Sequence, residues 1–208
     1  MSAAFISNIL FSSLLFSSPG VASVKKPPKW KSKNFLDAGW VMAMPVGSSY
    51  QKTGKLSFLG ATAGYNFRIN NSFSAGISGS WHLFEDMHLV TEKISDSITV
   101  TTHKREEFRT FDVFATGSFY FINGENRSIL PCLRWGIGAL NSYRNSRTTD
   151  YESTVESWHF GLQAELLMTI LVKNVPLNLG LGAARGFKTQ DNPSESFISF
   201  IFGISLPN

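Results

Sequence analysis

The sequence predicts an all-β fold, an eight-stranded antiparallel up-and-down transmembrane β-barrel. Three observations support this prediction. Polar and apolar residues alternate with a period of two in eight runs, which is typical of strands with two different faces. The connections between these runs alternate between short and long. Charged residues make up only 16% of the chain, whereas about 25% is usual in soluble proteins.

The clearest alternation lies in the sixth run, residues 157–170. One set of alternate residues is entirely apolar, and the other is mostly polar or small and includes His159 and Glu165. The apolar set consists of Trp158, Phe160, Leu162, Ala164, Leu166, Met168 and Ile170. A tilted strand needs about 9–11 residues to cross a bilayer, so this run is long enough. A helix over 163–172 is the competing interpretation, but it lacks an N-cap and a polar face at helical spacing.

The other seven runs repeat this alternation along the chain after residue 37. They cover residues 39–46, 57–68, 73–84, 111–121, 129–140, 175–184 and 196–206. The connections after the second, fourth and sixth runs are short, and the others are longer and polar. Alternate connections of an up-and-down barrel lie at the same end. We therefore expect tight turns at one end and long loops at the other, as in outer-membrane barrels.

The composition and net charge limit the classes of function that remain possible. The length of 208 residues fits one domain, and the net charge of +4 is too small to indicate nucleic-acid binding. The single cysteine, Cys132, excludes an intrachain disulfide, and a small buried side chain is favoured over a reactive thiol. The four histidines lack the spacing of metal ligands. We expect no nucleic-acid partner, no metal and no cofactor.

The N-terminal part is expected to lie outside the barrel. Residues 1–23 resemble a secretory signal peptide, although no Lys or Arg precedes their apolar centre, and an apolar helix is the alternative. Residues 24–37 are basic and rich in proline and are predicted as a linker, either solvated or in contact with anionic lipid or phosphate. The barrel is then predicted to cover residues 38–208.

Aromatic residues are expected to form girdles at the two membrane interfaces. Most fall near the ends of the apolar faces, which the core of a soluble sandwich would not explain. The residues assigned to the lower interface are Trp40, Tyr65, Phe67, Phe73, Phe119 and Phe121, and those assigned to the upper interface are Trp81 and Trp158.

Charged residues on the opposite faces are expected to point into the lumen. They are Arg68, His82, Asp112, Arg134, His159 and Glu165. An eight-stranded barrel is filled mainly by side chains, and buried charges need partners. We predict a contact between Arg134 and Glu165, with Asp112 as a further candidate. The network is interpreted either as a structural plug or as the gate of a narrow conduction path.

The stretch 59–84 is similar to a strand-turn-strand piece that recurs in the small eight-stranded outer-membrane β-barrels of Gram-negative bacteria, the OmpA-, OmpX- and OmpW-like group. It reads Ala63-Gly64-Tyr65-Asn66-Phe67, then Asn70-Asn71, then Phe73-Ser74-Ala75-Gly76. The resemblance covers the chain from about residue 38 onward. It implies a bacterial outer-membrane location, contact with outer-membrane lipid and lipopolysaccharide, and the barrel insertion machinery as a partner.

The expected role is non-enzymatic: envelope structure, surface interaction or minor porin-like transport. Some outer-membrane barrels modify lipid A with a Ser/His/carboxylate site, and Ser80, His82 and Asp112 could form one, but nothing marks an oxyanion hole. A soluble barrel that binds an apolar ligand is the other alternative. The loop 85–107 either extends the strands and binds an extracellular ligand, or is a solvated connection.

Overall fold

The chain folds as a closed barrel of eight strands, and this confirms the predicted fold class. The computed structural model describes residues 33–47, 56–95, 98–122, 128–148, 151–172, 175–189 and 194–207. The strands are β1 (Asn34–Pro45), β2 (Leu59–Arg68), β3 (Phe73–Ser95), β4 (Ile98–Tyr120), β5 (Ile129–Arg147), β6 (Glu152–Val172), β7 (Val175–Gly186) and β8 (Glu195–Pro207). Each strand pairs antiparallel with the next, and β8 pairs with β1.

Strand β6 replaces the alternative helix over 163–172, because these residues pair with β5 and β7 on their two sides. Long-range pairing therefore decides what local composition left open. Among the described residues, none belongs to a helix with the length and apolarity that crossing a bilayer requires.

Strand β1 begins at Asn34, so the last four residues of the predicted linker 24–37 belong to the barrel. The alternation simply continues backward from the predicted start, with Phe35 and Asp37 buried inside and Leu36 exposed outside. Residues 1–32 lie outside the described part of the chain, and with them the predicted signal peptide and the rest of the linker.

The predicted loop 85–107 is largely a β-hairpin. Strands β3 and β4 have 23 residues each and pair from Phe73↔Phe119 up to Lys93↔Thr99. Strands β5 and β6 also continue beyond their predicted upper ends, whereas β1, β2, β7 and β8 have only 10 to 13 residues. We call residues 85–95, 98–107, 141–147 and 152–156 the tall sheet. One side of the barrel wall therefore rises above the other.

Two faces with different chemistry follow from the alternation of side chains along each strand. In β6, Leu166 points outward and is 55% exposed, and the next residue, Leu167, is 4% exposed. The outward side chains form an uncharged band that rises from the short turns on every strand. It reaches up to Met44, Leu59, Leu83, Phe111, Ala139, Trp158, Ala183 and Ile198.

A polar collar lies directly above the uncharged band on strands β3 to β8. It consists of the next outward residues, Glu85, Arg109, Asn141, Glu156, Arg185 and Ser196. Because the band spans about ten residues per strand, its height fits the apolar zone of about 25 Å seen in outer-membrane barrels.

The predicted interface aromatics all lie on outward faces, although one does so at a different height. Phe73 and Phe119 pair at the lower end with ring centroids 5.0 Å apart, and Phe121 packs edge-on against Phe119. Tyr65 and Phe67 lie near the lower end of β2, and Trp81 and Trp158 lie higher on their strands.

Trp40 is not at the lower end as predicted. It lies near the middle of β1, because this strand begins at Asn34 rather than at residue 39, and its Nε1 donates to the Phe58 carbonyl at 2.6 Å.

The position of the uncharged band predicts that a charge on β6 lowers the free energy of unfolding more near the middle of the band than above it. Leu166→Arg should destabilise the folded chain in lipid vesicles by about 2–4 kcal/mol, as expected for arginine near the bilayer midplane. Thr154→Arg is the matched control, because this residue faces outward on the same strand within the tall sheet, and it should cost about 0–1 kcal/mol. Urea unfolding measures both. Equal effects of the two substitutions would contradict the assignment of the band.

Candidate functional site

The lower half of the lumen is organised around Asp37 of β1. Its carboxylate accepts hydrogen bonds from Asn66 Nδ2 at 2.7 Å, from Arg134 Nη2 at 2.6 Å and from Asn178 Nδ2 at 3.4 Å. The hydroxyl of Ser205 donates to the same carboxylate. Side chains of β2, β5, β7 and β8 therefore all donate to one side chain of β1, and β1 is the strand that closes the barrel.

Further side chains extend these contacts into what we call the Asp37 network. Its members are Asp37, Asn66, Ser118, Arg134, Glu165, Thr169, Asn178 and Ser205. They come from every strand except β3. Since water cannot enter a lumen of this width freely, the members form hydrogen bonds with one another, although Asn66 Oδ1 has no partner among the described residues.

Arg134 contacts Glu165, the pair named from the sequence. Arg134 Nη1 lies 3.4 Å from Glu165 Oε2, and the two residues are direct partners in the pairing of β5 with β6. The distance of 2.6 Å from Arg134 to Asp37 is much shorter. Asp37 is therefore the main partner of the guanidinium, and the predicted linker, which ends at residue 37, wrongly placed it outside the barrel. The backward continuation of the β1 alternation is the signal that could have identified it.

Asp112 does not join Arg134, contrary to the role suggested for it. It accepts from the Ser80 backbone N at 3.0 Å and from the Ser80 hydroxyl at 2.5 Å. The register pairs Ser80 directly with Asp112 across β3 and β4. The carboxylate therefore binds Ser80 and does not contact Arg134.

The cluster of Ser80, His82 and Asp112 differs from a Ser-His-Asp triad. Ser80 Oγ lies 3.1 Å from His82 Nε2, but the carboxylate binds the serine rather than His82 Nδ1. In a triad the acid orients the histidine, whereas His82 Nδ1 has no hydrogen-bond partner in the described part of the chain. His82 and Asp112 are buried. The geometry therefore resembles an internal hydrogen-bond chain more than a nucleophile with its base.

Three phenylalanines close the upper half of the lumen, and we call them the aromatic plug. Phe84, Phe108 and Phe197 have ring centroids 5.6, 5.7 and 6.0 Å apart and belong to one buried apolar cluster with Ala43 and Leu140. They are not among the residues predicted to form the lumen network. They alternate in phase with inward-pointing residues, as Phe84 does with His82, and this pattern is the signal that could have identified them.

The lumen also holds an ion pair next to the aromatic plug and a further buried ring. Arg144 stacks over Phe108 at 5.2 Å and lies 3.5 Å from Glu195 across the lumen. Phe114 also fills the lumen and is fully buried. A Cβ at Gly161 would lie 3.0 Å from the Phe114 ring, so glycine at this position leaves room for the ring.

The remaining lumen candidates lie apart from the Asp37 network. Arg68 stacks over Tyr120 at 5.0 Å at the lower end of the barrel. Near the upper end, His159 Nε2 lies 3.3 Å from Ser142 Oγ and Nδ1 lies 3.0 Å from the Phe187 carbonyl. The six residues named from the sequence therefore occupy four separate places. Within the described ranges, no group of three or more His, Cys, Asp or Glu residues is arranged to hold a metal ion.

This closed ring of eight antiparallel strands is the fold of the small outer-membrane β-barrel proteins. Neisserial surface protein A (NspA) superposes with a TM-score of 0.58 and 12% identity, over 85% of this chain and 98% of that chain. Ail, the attachment invasion locus protein of Yersinia pestis, superposes with a TM-score of 0.50 and 12% identity, over 84% and 99% of the two chains. At these identities the similarity concerns the fold. No protein-family model and no curated protein matches the sequence.

The Asp37 network predicts a large cost for removing its central carboxylate. Asp37→Ala leaves the buried Arg134 guanidinium without its closest counter-charge, which typically costs about 3–5 kcal/mol. Arg105→Ala removes the exposed ion pair with Glu85 in the tall sheet and should cost about 0–1 kcal/mol. Urea unfolding of the refolded chain compares the two, and a mild effect at Asp37 would contradict its central position.

Proposed function

We propose that the protein is an integral outer-membrane β-barrel with a closed lumen, non-enzymatic, which acts in the bacterial envelope through its cell-surface side. The uncharged outward band is the observation that carries this proposal. A soluble protein rarely exposes a contiguous apolar patch above about 300–600 Å². Here large apolar side chains are exposed around the whole barrel, as with Leu166, Phe200 and Ile77. A hydrocarbon layer is the environment that suits such a surface.

The orientation of β6 argues against the soluble alternative. A soluble barrel that carries an apolar ligand needs apolar side chains inside and polar side chains outside. In this protein Leu166 points outward, and Glu165 points inward to Arg134.

Lipopolysaccharide and other outer-membrane lipids are the proposed surroundings of the polar collar. Arg109 and Arg185 lie at the upper edge of the band, where phosphate-bearing headgroups would meet the barrel. Arg185 stacks over Phe187 at 5.7 Å, and Phe187 in turn packs on Phe160. A cation above stacked aromatic rings suits a headgroup boundary. Assembly would depend on the barrel insertion machinery.

The tall sheet supports a role in surface interaction. It stands above the collar and exposes Met87 and Leu89 on its outward face, next to charged residues such as Arg105. Apolar side chains beyond the membrane are available to an extracellular partner. Two proteins of the same fold are named a surface protein and an attachment invasion locus protein, which agrees with this proposal.

Membrane fractionation tests the proposed location. The protein should stay in the outer-membrane fraction after carbonate and urea washes, and should migrate differently on gels before and after boiling. Release by carbonate would contradict the proposal.

A cysteine introduced as Thr101→Cys in the tall sheet should react with an impermeant maleimide on intact cells, while native Cys132 is buried and should not. An unreactive Thr101→Cys protein in the outer membrane would contradict the surface orientation.

Planar-bilayer recording separates the envelope and surface roles from porin-like transport. The aromatic plug and the Asp37 network fill the lumen, so the native protein should give negligible single-channel current. The triple variant F84A/F108A/F197A should conduct measurably more, and F73A, which truncates an outward ring, is the control that should not. A native protein with stable, frequent openings would support minor porin-like transport instead.

A further inference from the structure

The charges buried in the Asp37 network do not balance. It contains two carboxyl groups, of Asp37 and Glu165, and one guanidinium, of Arg134. Their side chains are only 10%, 13% and 11% exposed. A buried ion pair is tolerated when its charges are matched, but an extra buried charge is costly. If both carboxyl groups were ionised, the network would have one negative charge too many.

The two carboxyl groups are not equivalent in their contacts. Asp37 accepts from Asn66, Arg134, Asn178 and Ser205, with Arg134 at 2.6 Å. Within the described part of the chain, the Glu165 carboxyl has a single hydrogen-bond contact, with Arg134 Nη1 at 3.4 Å. Four donors stabilise an ionised carboxylate well, and one distant donor does so poorly. Asp37 is therefore the ionised member of the pair.

Among the described residues, the surroundings of Glu165 offer no second positive charge. Asp112 on β4 is another buried carboxyl group, Cys132 on β5 and Tyr120 on β4 are neutral when protonated, and His82 on β3 is bonded to Ser80. Arg68 lies at the lower end over Tyr120. The neighbouring residues of β7, Asn178 and Gly182, are uncharged.

The space beside Glu165 is also too small for a hydrated metal cation. A cavity of about 20 Å³ lies between Asp37, Arg134 and Glu165. This volume accommodates about one water molecule. A proton needs no cavity of its own and is the simplest positive charge that balances the network.

We propose that Glu165 binds a proton in the closed barrel at neutral pH, so that Asp37 and Arg134 form a balanced ion pair beside a neutral carboxylic acid. Loss of this proton at alkaline pH makes Glu165 compete with Asp37 for Arg134 and loosens the network. The lumen thus contains a proton-binding site whose occupancy controls the contacts between β1 and β5. This inference depends on the lumen geometry and holds whichever envelope role the protein has.

Infrared spectroscopy of the full-length refolded protein tests the proposal directly. At neutral pH the native protein should show the carbonyl stretch of one protonated, buried carboxyl group, shifted in heavy water and lost at alkaline pH. Glu165→Gln should remove this band. Asp112→Asn is the matched control, because Asp112 is a second buried carboxyl group in the same lumen, and it should leave the band. Absence of the band in the native protein, or its loss in D112N rather than in E165Q, would overturn the proposal.

Unfolding midpoints provide an independent measurement. Glu165→Gln keeps a neutral side chain and removes the cost of protonating a carboxylate on folding, so the urea midpoint at neutral pH should not fall and is expected to rise. Asp37→Asn removes the ionised partner of Arg134 and should lower the midpoint clearly. At alkaline pH the native midpoint should fall, and the E165Q midpoint should fall less. Equal losses for E165Q and D37N at neutral pH would mean that Glu165 is ionised and would refute the inference.

Discussion

An eight-stranded barrel has an interior just wide enough for side chains, and every other feature of this protein depends on that constraint. A charge that points inward must find its partner on another strand, because bulk water does not reach it. Asp37 meets this requirement by collecting donors from four other strands, with Arg134 as its closest counter-charge. The contact of Ser205 with Asp37 also joins β8 to β1, the two strands whose pairing closes the barrel.

The lumen contains two main buried clusters at different heights. The Asp37 network lies in the lower half, beside an apolar cluster of Phe35, Tyr120, Cys132 and Leu167, and the aromatic plug closes the upper half. Between them, Ser80, His82 and Asp112 form a separate hydrogen-bonded cluster. Ions that cross such an interior would have to displace both an ion pair and three packed rings.

The outer surface follows from the same alternation, because every second side chain of each strand points outward. The outward side chains of the eight strands form an uncharged band, and charged residues lie above it in the polar collar and in the tall sheet. In the tall sheet, ion pairs between neighbouring strands, such as Arg105 with Glu85, accompany the pairing of β3 with β4 beyond the collar. A loop predicted from its polar composition is thus an ordered extension of the wall, because cross-strand pairs stabilise strands without an apolar face.

The sequence by itself determined the strand count, the antiparallel order and the direction of each face, because the period-two alternation is a local property. It also identified Arg134 with Glu165, since adjacent strands bring direct partners together. Only the tertiary structure decided that Asp37 is the principal partner of Arg134, and that Asp112 turns to Ser80. Such contacts depend on barrel closure and on register, which bring together residues far apart in the chain and leave no trace in local periodicity.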